Sequence, residues 1–129
     1  MIKKYINLSL LILYCSLIYW LSAQSSLPAP MLFSHQDKVI HMGAYFVMGL
    51  IAWRFFNDYF SKAAVVSIIS LGYCSLYGFL DEWHQSFVPG RDADTLDWMA
   101  DTAGASIAML FIYFQQPKTP NNNENNSVF

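Results

Sequence analysis

Four apolar runs divide this chain, and their length limits what it can become more than any other feature. Ile6–Ala23, Val39–Phe56, Ala63–Leu80 and Leu96–Phe114 each hold 18 or 19 residues. As helices they would be about 27 Å long at about 1.5 Å per residue, enough to cross a hydrocarbon core of about 30 Å. Charged residues make up only 12% of the chain, against about 25% in an ordinary soluble domain. A soluble bundle would need polar outward faces, which the first and third runs lack. The expected fold class is therefore all-α, an integral membrane bundle of four transmembrane helices in a lipid bilayer. It forms one domain over residues 1–114, and residues 115–129, polar and low in complexity, are expected to be a disordered cytoplasmic tail.

The segments between the runs orient the bundle. Lys3 and Lys4 open the first run, which is too long for a signal-peptide core of about 7–15 residues and reads as a signal anchor. With the first residue inside, Lys3, Lys4, Arg54, Lys62 and Lys118 are cytoplasmic and only Lys38 and Arg91 lie outside, as the positive-inside rule requires. Both termini are then cytoplasmic. Other functions drop out. Cys15 and Cys74 each sit inside an apolar run, so a disulfide between them is not expected, and no zinc-ligand cysteine spacing, Walker loop or dinucleotide glycine fingerprint is present. Without a basic stripe, no nucleic-acid partner is expected.

The chemistry concentrates in Tyr77–Asp101, YGFLDEWHQSFVPGRDADTLDWMAD, which holds six of the nine acids, one of three histidines and one of two arginines. Ionisable groups between two spans are costly unless they sit at a surface or satisfy one another. On the outer face they join Asp37, Lys38 and His41 from the start of the second run. Asp37, Asp81, Glu82, Asp92, Asp94, Asp97 and Asp101 against Lys38 and Arg91 give −5 with neutral histidines. Asp37 and His41, Asp81 and Gln85, and Asp97 and Asp101 are each four apart, Asp81 and His84 three, so each pair shares a helix face. Several of these residues have plain structural duties. Ser34 reads as the N-cap of the second helix with Asp37 in its first turn, and Asp94 as the N-cap of the fourth with Asp97 complementing its dipole. His84 beside Trp83 fits an interfacial residue. Asp101, about 6 Å deeper than Asp97 by helical rise, has no such duty and must face the bundle with a partner. His41, Asp81 and Asp101 are expected to converge in one pocket. Val88-Pro89-Gly90-Arg91 reads as a type II turn that sends Arg91 back over that pocket to grip a carboxylate.

These residues resemble the VanZ-like family of small bacterial membrane proteins. The resemblance covers roughly residues 22–110: a serine- and proline-rich loop, DKVIHMGAYFVMG, YGFLDEWHQSFVPGR, then Asp97 followed by a small-residue helix with Gly104. Asp101 stands where the family pattern also admits Asn. The resemblance implies a multi-pass protein of the bacterial cytoplasmic membrane and cell envelope; the family takes its name from a protein linked to resistance to the glycopeptide teicoplanin.

The functional expectation is a ligand-binding site at the extracytoplasmic face, made of Asp37, Lys38, His41, Asp81, Glu82, His84, Gln85, Arg91, Asp97 and Asp101. Its ligand would be a lipid-linked cell-wall precursor or a glycopeptide. The rival is a membrane-embedded hydrolase or transferase in which His41, Asp81 and His84 serve as catalytic groups or hold a divalent metal, although no obvious nucleophile accompanies them. A transporter ranks third, because polar groups near the midplane reduce to Ser67, Ser70 and Cys74.

Overall fold

The computed structural model describes residues 1–26 and 30–117. The loop around Pro28 lies in part, and the expected tail from Lys118 onward lies wholly, outside the described residues. Four helices follow one another: α1 (Ile2–Ser22), α2 (Gln36–Phe56), α3 (Ala63–Gln85) and α4 (Thr95–Gln115). No strand occurs among the described residues. Three of the four, α1, α2 and α3, are long and apolar enough to cross a membrane. α4 equals α1 and α2 in length, but Asp97, Asp101, Thr102 and Gly104 in its first half make it less apolar.

The exterior is largely apolar. Leu13, Ile68 and Phe114 are 67%, 71% and 79% exposed, and side chains of this kind cover the outward faces of all four helices. Leu11, Ile18, Tyr45 and Met48 form an apolar core cluster, while small residues line the contacts to α4, the arrangement that lets helix backbones approach closely. α2 and α4 make the most extensive contact, α4 also packs on α3, and α1 leans on α2 and α3 only. Gly104 sets the α2–α4 distance: a Cβ there would run into the Met42 carbonyl, with Met42 C at 2.9 Å and Cα at 3.0 Å. Two turns after Met42 on α2, Gly49 faces Ala108 and Ala105. Gly78 gives α3 the matching close approach to Asp101 of α4.

The end of the bundle that carries the α2–α3 turn is pinned by Asn7. Its amide donates to Asp58 Oδ2 at 2.5 Å, Lys3 pairs with the other Asp58 oxygen at 3.6 Å, and Lys4 lies over the Tyr59 ring.

One expected boundary is corrected. α2 starts at Gln36, and the residue before it is His35 in the left-handed region at φ 63°, so Ser34 is not its N-cap. Gln36 itself ties the entry down, accepting from Leu32 N–H at 2.7 Å and donating to the Pro30 carbonyl at 3.1 Å. At α4 the expectation holds: Asp94 is the N-cap and accepts from Leu96 N–H at 2.8 Å, with Asp97 in the first turn.

Candidate functional site

The start of α2, the end of α3 and the start of α4 meet at the opposite end of the bundle, and they bring the ionisable residues together there. α3 continues past its apolar run to Gln85 because Asp81, Glu82 and Gln85 all turn inward and are buried. The chain then reverses through Val88–Arg91. Gly90 has φ 81° and Arg91 N–H donates to the Val88 carbonyl at 3.1 Å, the type II turn expected from Pro-Gly. Asp94 next docks the loop, its backbone N–H donating to Glu82 Oε2 at 2.8 Å.

Lys38 sits in a three-carboxylate clasp. Its Nζ donates to Asp37 Oδ2 at 2.9 Å, Asp94 Oδ2 at 2.6 Å and Asp97 Oδ1 at 2.7 Å. An ammonium has three donors, and all three are used. The Lys38 bond, reinforced by Leu96 N–H, holds the Asp94 carboxyl below the usual carboxylate range. Asp94 therefore starts α4, docks the loop on α3 and binds α2 at once, a role that its N-cap position alone did not reveal.

Behind the clasp, His41 Nδ1 bonds Asp101 Oδ1 at 2.9 Å, while its Nε2 faces Asp97 Oδ2 at 4.0 Å. Asp101 is wholly buried, and its second oxygen has no partner among the described residues. Asp101 thus has the bundle-facing partner its depth demanded.

Arg91 departs from expectation. It grips the Gln85 Oε1, from Nε at 3.1 Å and Nη2 at 2.6 Å, and no carboxylate. The reason is the orientation of the amide. Gln85 Nε2 points at Asp81 Oδ2 (3.2 Å) and Glu82 Oε1 (3.4 Å), so its oxygen is left to face the guanidinium. The amide relays between cation and carboxylates, and such chains strengthen each bond by polarisation.

A cavity of about 70 Å³ opens between the end of α1 and the α2–α3 pair. Ile18, Leu21, Ile40 and Ala44 form its apolar wall; His41, Tyr45, Asp81, Gln85 and Arg91 form its polar end. Asp101 is absent from that lining, so the expected convergence of His41, Asp81 and Asp101 is met by the first two, with Asp101 behind His41. Tyr45 was not anticipated. It is 1% exposed and its hydroxyl has no protein partner. A tyrosine one turn after His41 in an otherwise apolar run was the available signal.

His84 lies elsewhere, stacked on Tyr19 with ring centroids 4.5 Å apart, and it shares with Asp81 a separate recess lined by Tyr77, Leu80 and Trp83. The donor atoms that converge within 4.8 Å belong to two other sets among the described residues, His41 with Glu82 and Asp97, and Asp37 with Asp94 and Asp97.

No curated protein and no solved structure matches the chain. The family comparison does find a match: the model for VanZ/LLP1 covers residues 8–116, which takes in most of α1, all of α2, α3 and α4 and the whole ionisable cluster. The residues that build the Lys38 clasp, the His41–Asp101 pair and the Arg91 relay all fall inside that span, and the chain belongs to the VanZ-like family of membrane proteins.

Proposed function

We propose that this protein crosses the bacterial cytoplasmic membrane four times, with both termini inside, and uses the outer cavity to bind the head of a lipid-linked cell-wall precursor. Family membership and three apolar helices support a multi-pass membrane protein. The fourth span is supported by the burial of Asp97 and Asp101 against α2 and α3, which leaves α4 an apolar outer face toward lipid. Orientation rests on the basic residues. A cysteine at Ser86, in a chain whose own cysteines are replaced, should react with an impermeant thiol reagent in intact cells. Reaction only after permeabilisation would reverse the topology.

The observation that carries the binding reading is the cavity's two-sided chemistry. Its wall is aliphatic, and its end offers the Arg91 guanidinium, the Tyr45 hydroxyl, unpartnered among the described residues, and the Asp81 carboxylate. A volume of about 70 Å³ is roughly two waters' share of liquid, so one polar group enters while the rest of the head group rests on the mouth. Arg91 suits a phosphate oxygen; Asp81 and Gln85 suit hydroxyls or an amine. In nanodiscs, a fluorescent polyprenyl-diphosphate muropeptide should bind saturably, and Arg91→Ala and Tyr45→Phe should each weaken it about tenfold, equivalent to about 1.4 kcal/mol. Teicoplanin and a polyprenol lacking the head group serve as comparators. Binding no stronger than to empty nanodiscs would refute the reading, and preferential binding of teicoplanin would transfer the site to the glycopeptide.

A second reading, hydrolysis or group transfer, is favoured by one observation. His41 is held by a buried carboxylate at 2.9 Å, as an oriented general base would be. Turnover of the same precursor, abolished by His41→Ala, would favour it.

A further inference from the structure

We propose that His41 Nε2, Glu82 and Asp97 form a divalent-cation site, with Asp101 orienting the histidine from behind. This inference deepens the binding reading above, since the ion would sit on the same face and answer the negative charge that a diphosphate otherwise meets there.

The donor atoms come from three helices, α2, α3 and α4, and lie within 4.8 Å of one another. Metal–ligand bonds of about 2.0–2.2 Å require only a slight inward movement. Each ligand also has its other polar atom committed. Asp97 Oδ1 is held by Lys38 at 2.7 Å, which turns Oδ2 toward His41. Glu82 Oε2 is held by Asp94 N–H at 2.8 Å, and Oε1, which accepts only a long 3.4 Å bond from Gln85, keeps a lone pair for the ion. His41 Nδ1 is held by Asp101 at 2.9 Å. A carboxylate bonded to the far ring nitrogen of a ligating histidine fixes the tautomer and raises the basicity of the near one.

Two further observations call for a cation. His41 Nε2 lies 4.0 Å from Asp97 Oδ2, too far for a direct hydrogen bond, so a cation between them would engage both atoms. Asp101, moreover, is wholly buried with one oxygen unpartnered, so around His41 the buried carboxylates Asp81, Glu82, Asp97 and Asp101 outnumber the nearby cations. Buried charge left uncompensated is expensive. One nitrogen with two carboxylates suits Mn²⁺, Fe²⁺ or Zn²⁺ better than Mg²⁺, which prefers oxygen alone.

The test takes the full chain in detergent after chelator treatment, with Mn²⁺ as probe and free Mn²⁺ read by EPR. One Mn²⁺ should bind per chain and be displaced by Zn²⁺. Glu82→Gln and His41→Gln should each weaken binding at least tenfold. Asp101→Asn should weaken it by about 10–100-fold although it touches no ion, and Asp92→Asn should have no effect. Glu82→Gln preserves side-chain volume, and its metal-free melting curve verifies that the fold survives. Absence of saturable binding up to millimolar Mn²⁺ would overturn the site and leave a proton on Nε2 as its occupant. Binding that survives Glu82→Gln but is lost in Asp37→Asn would also overturn it, by moving the ion to the Lys38 clasp. Since no precursor is present, either failure leaves the binding reading to its own assay, which can be run in chelator.

Discussion

Gly104→Ala is expected to destabilise the purified protein by about 3 kcal/mol, the upper end for overpacking a well-packed interior. The added methyl would meet the Met42 backbone, with carbonyl carbon and Cα at 2.9 and 3.0 Å. A flexible side chain could swing aside; a helix backbone cannot, so α2 and α4 must separate. His41 is adjacent to Met42 and Asp101 lies one turn before Gly104, so the separation should also lengthen the 2.9 Å contact between them. Gly43→Ala and Gly72→Ala make the comparison sharp. Neither position has an atom within 4 Å of the new methyl, and each gains about 1 kcal/mol of helix propensity. Thermal melting in detergent should show a large loss for the first variant and none for the other two. Equal melting of all three would mean that this close approach does not hold the bundle.

Lys38→Met should cost about 2 kcal/mol. Removing one member of a fully buried pair costs about 3–5 kcal/mol; the clasp falls below that because Asp37 and Asp94 are partly open to solvent, where ion pairs are screened. Asp97, with its side chain 11% exposed, bears most of the loss. Adding Asp97→Asn to Lys38→Met should therefore recover at least half of the lost melting temperature. Unchanged melting of Lys38→Met would show that the ammonium carries no structural weight.

The helices were legible because lipid-facing segments must be apolar at spanning length, and the length of each run can be counted. Their polar ends were less so. α3 runs five residues beyond Leu80, to Gln85, because Asp81, Glu82 and Gln85 find partners inside the bundle, and no apolar count registers that. Depth along α4 correctly demanded a partner for Asp101, yet only the α2–α4 packing shows that it is His41. The carboxylate predicted for Arg91 failed for a related reason. A guanidinium prefers a carboxylate, but Asp81 and Glu82 had already oriented the Gln85 amide, and its oxygen stood nearer. Pairings within one helix follow from spacing; pairings across helices depend on which neighbour reaches first. Tyr45 was missed because a tyrosine in an apolar run fits the bilayer as well as it fits a cavity.

The aliphatic wall of the cavity is a seam between α1 and α2, lined by Ile18, Leu21, Ala44 and the partly exposed Ile40. On the binding reading proposed above, a head group bound there would keep its hydrocarbon chain in the bilayer throughout. Encounter then becomes a lateral search in two dimensions, and each chain methylene that stays in the membrane retains about 0.8 kcal/mol of partition energy. Such a ligand would not need to be extracted, and a recess of about 70 Å³ would be enough. The corollary concerns selectivity. Solubilised head groups would compete poorly at this seam, and lipids of the outer leaflet would be its real competitors.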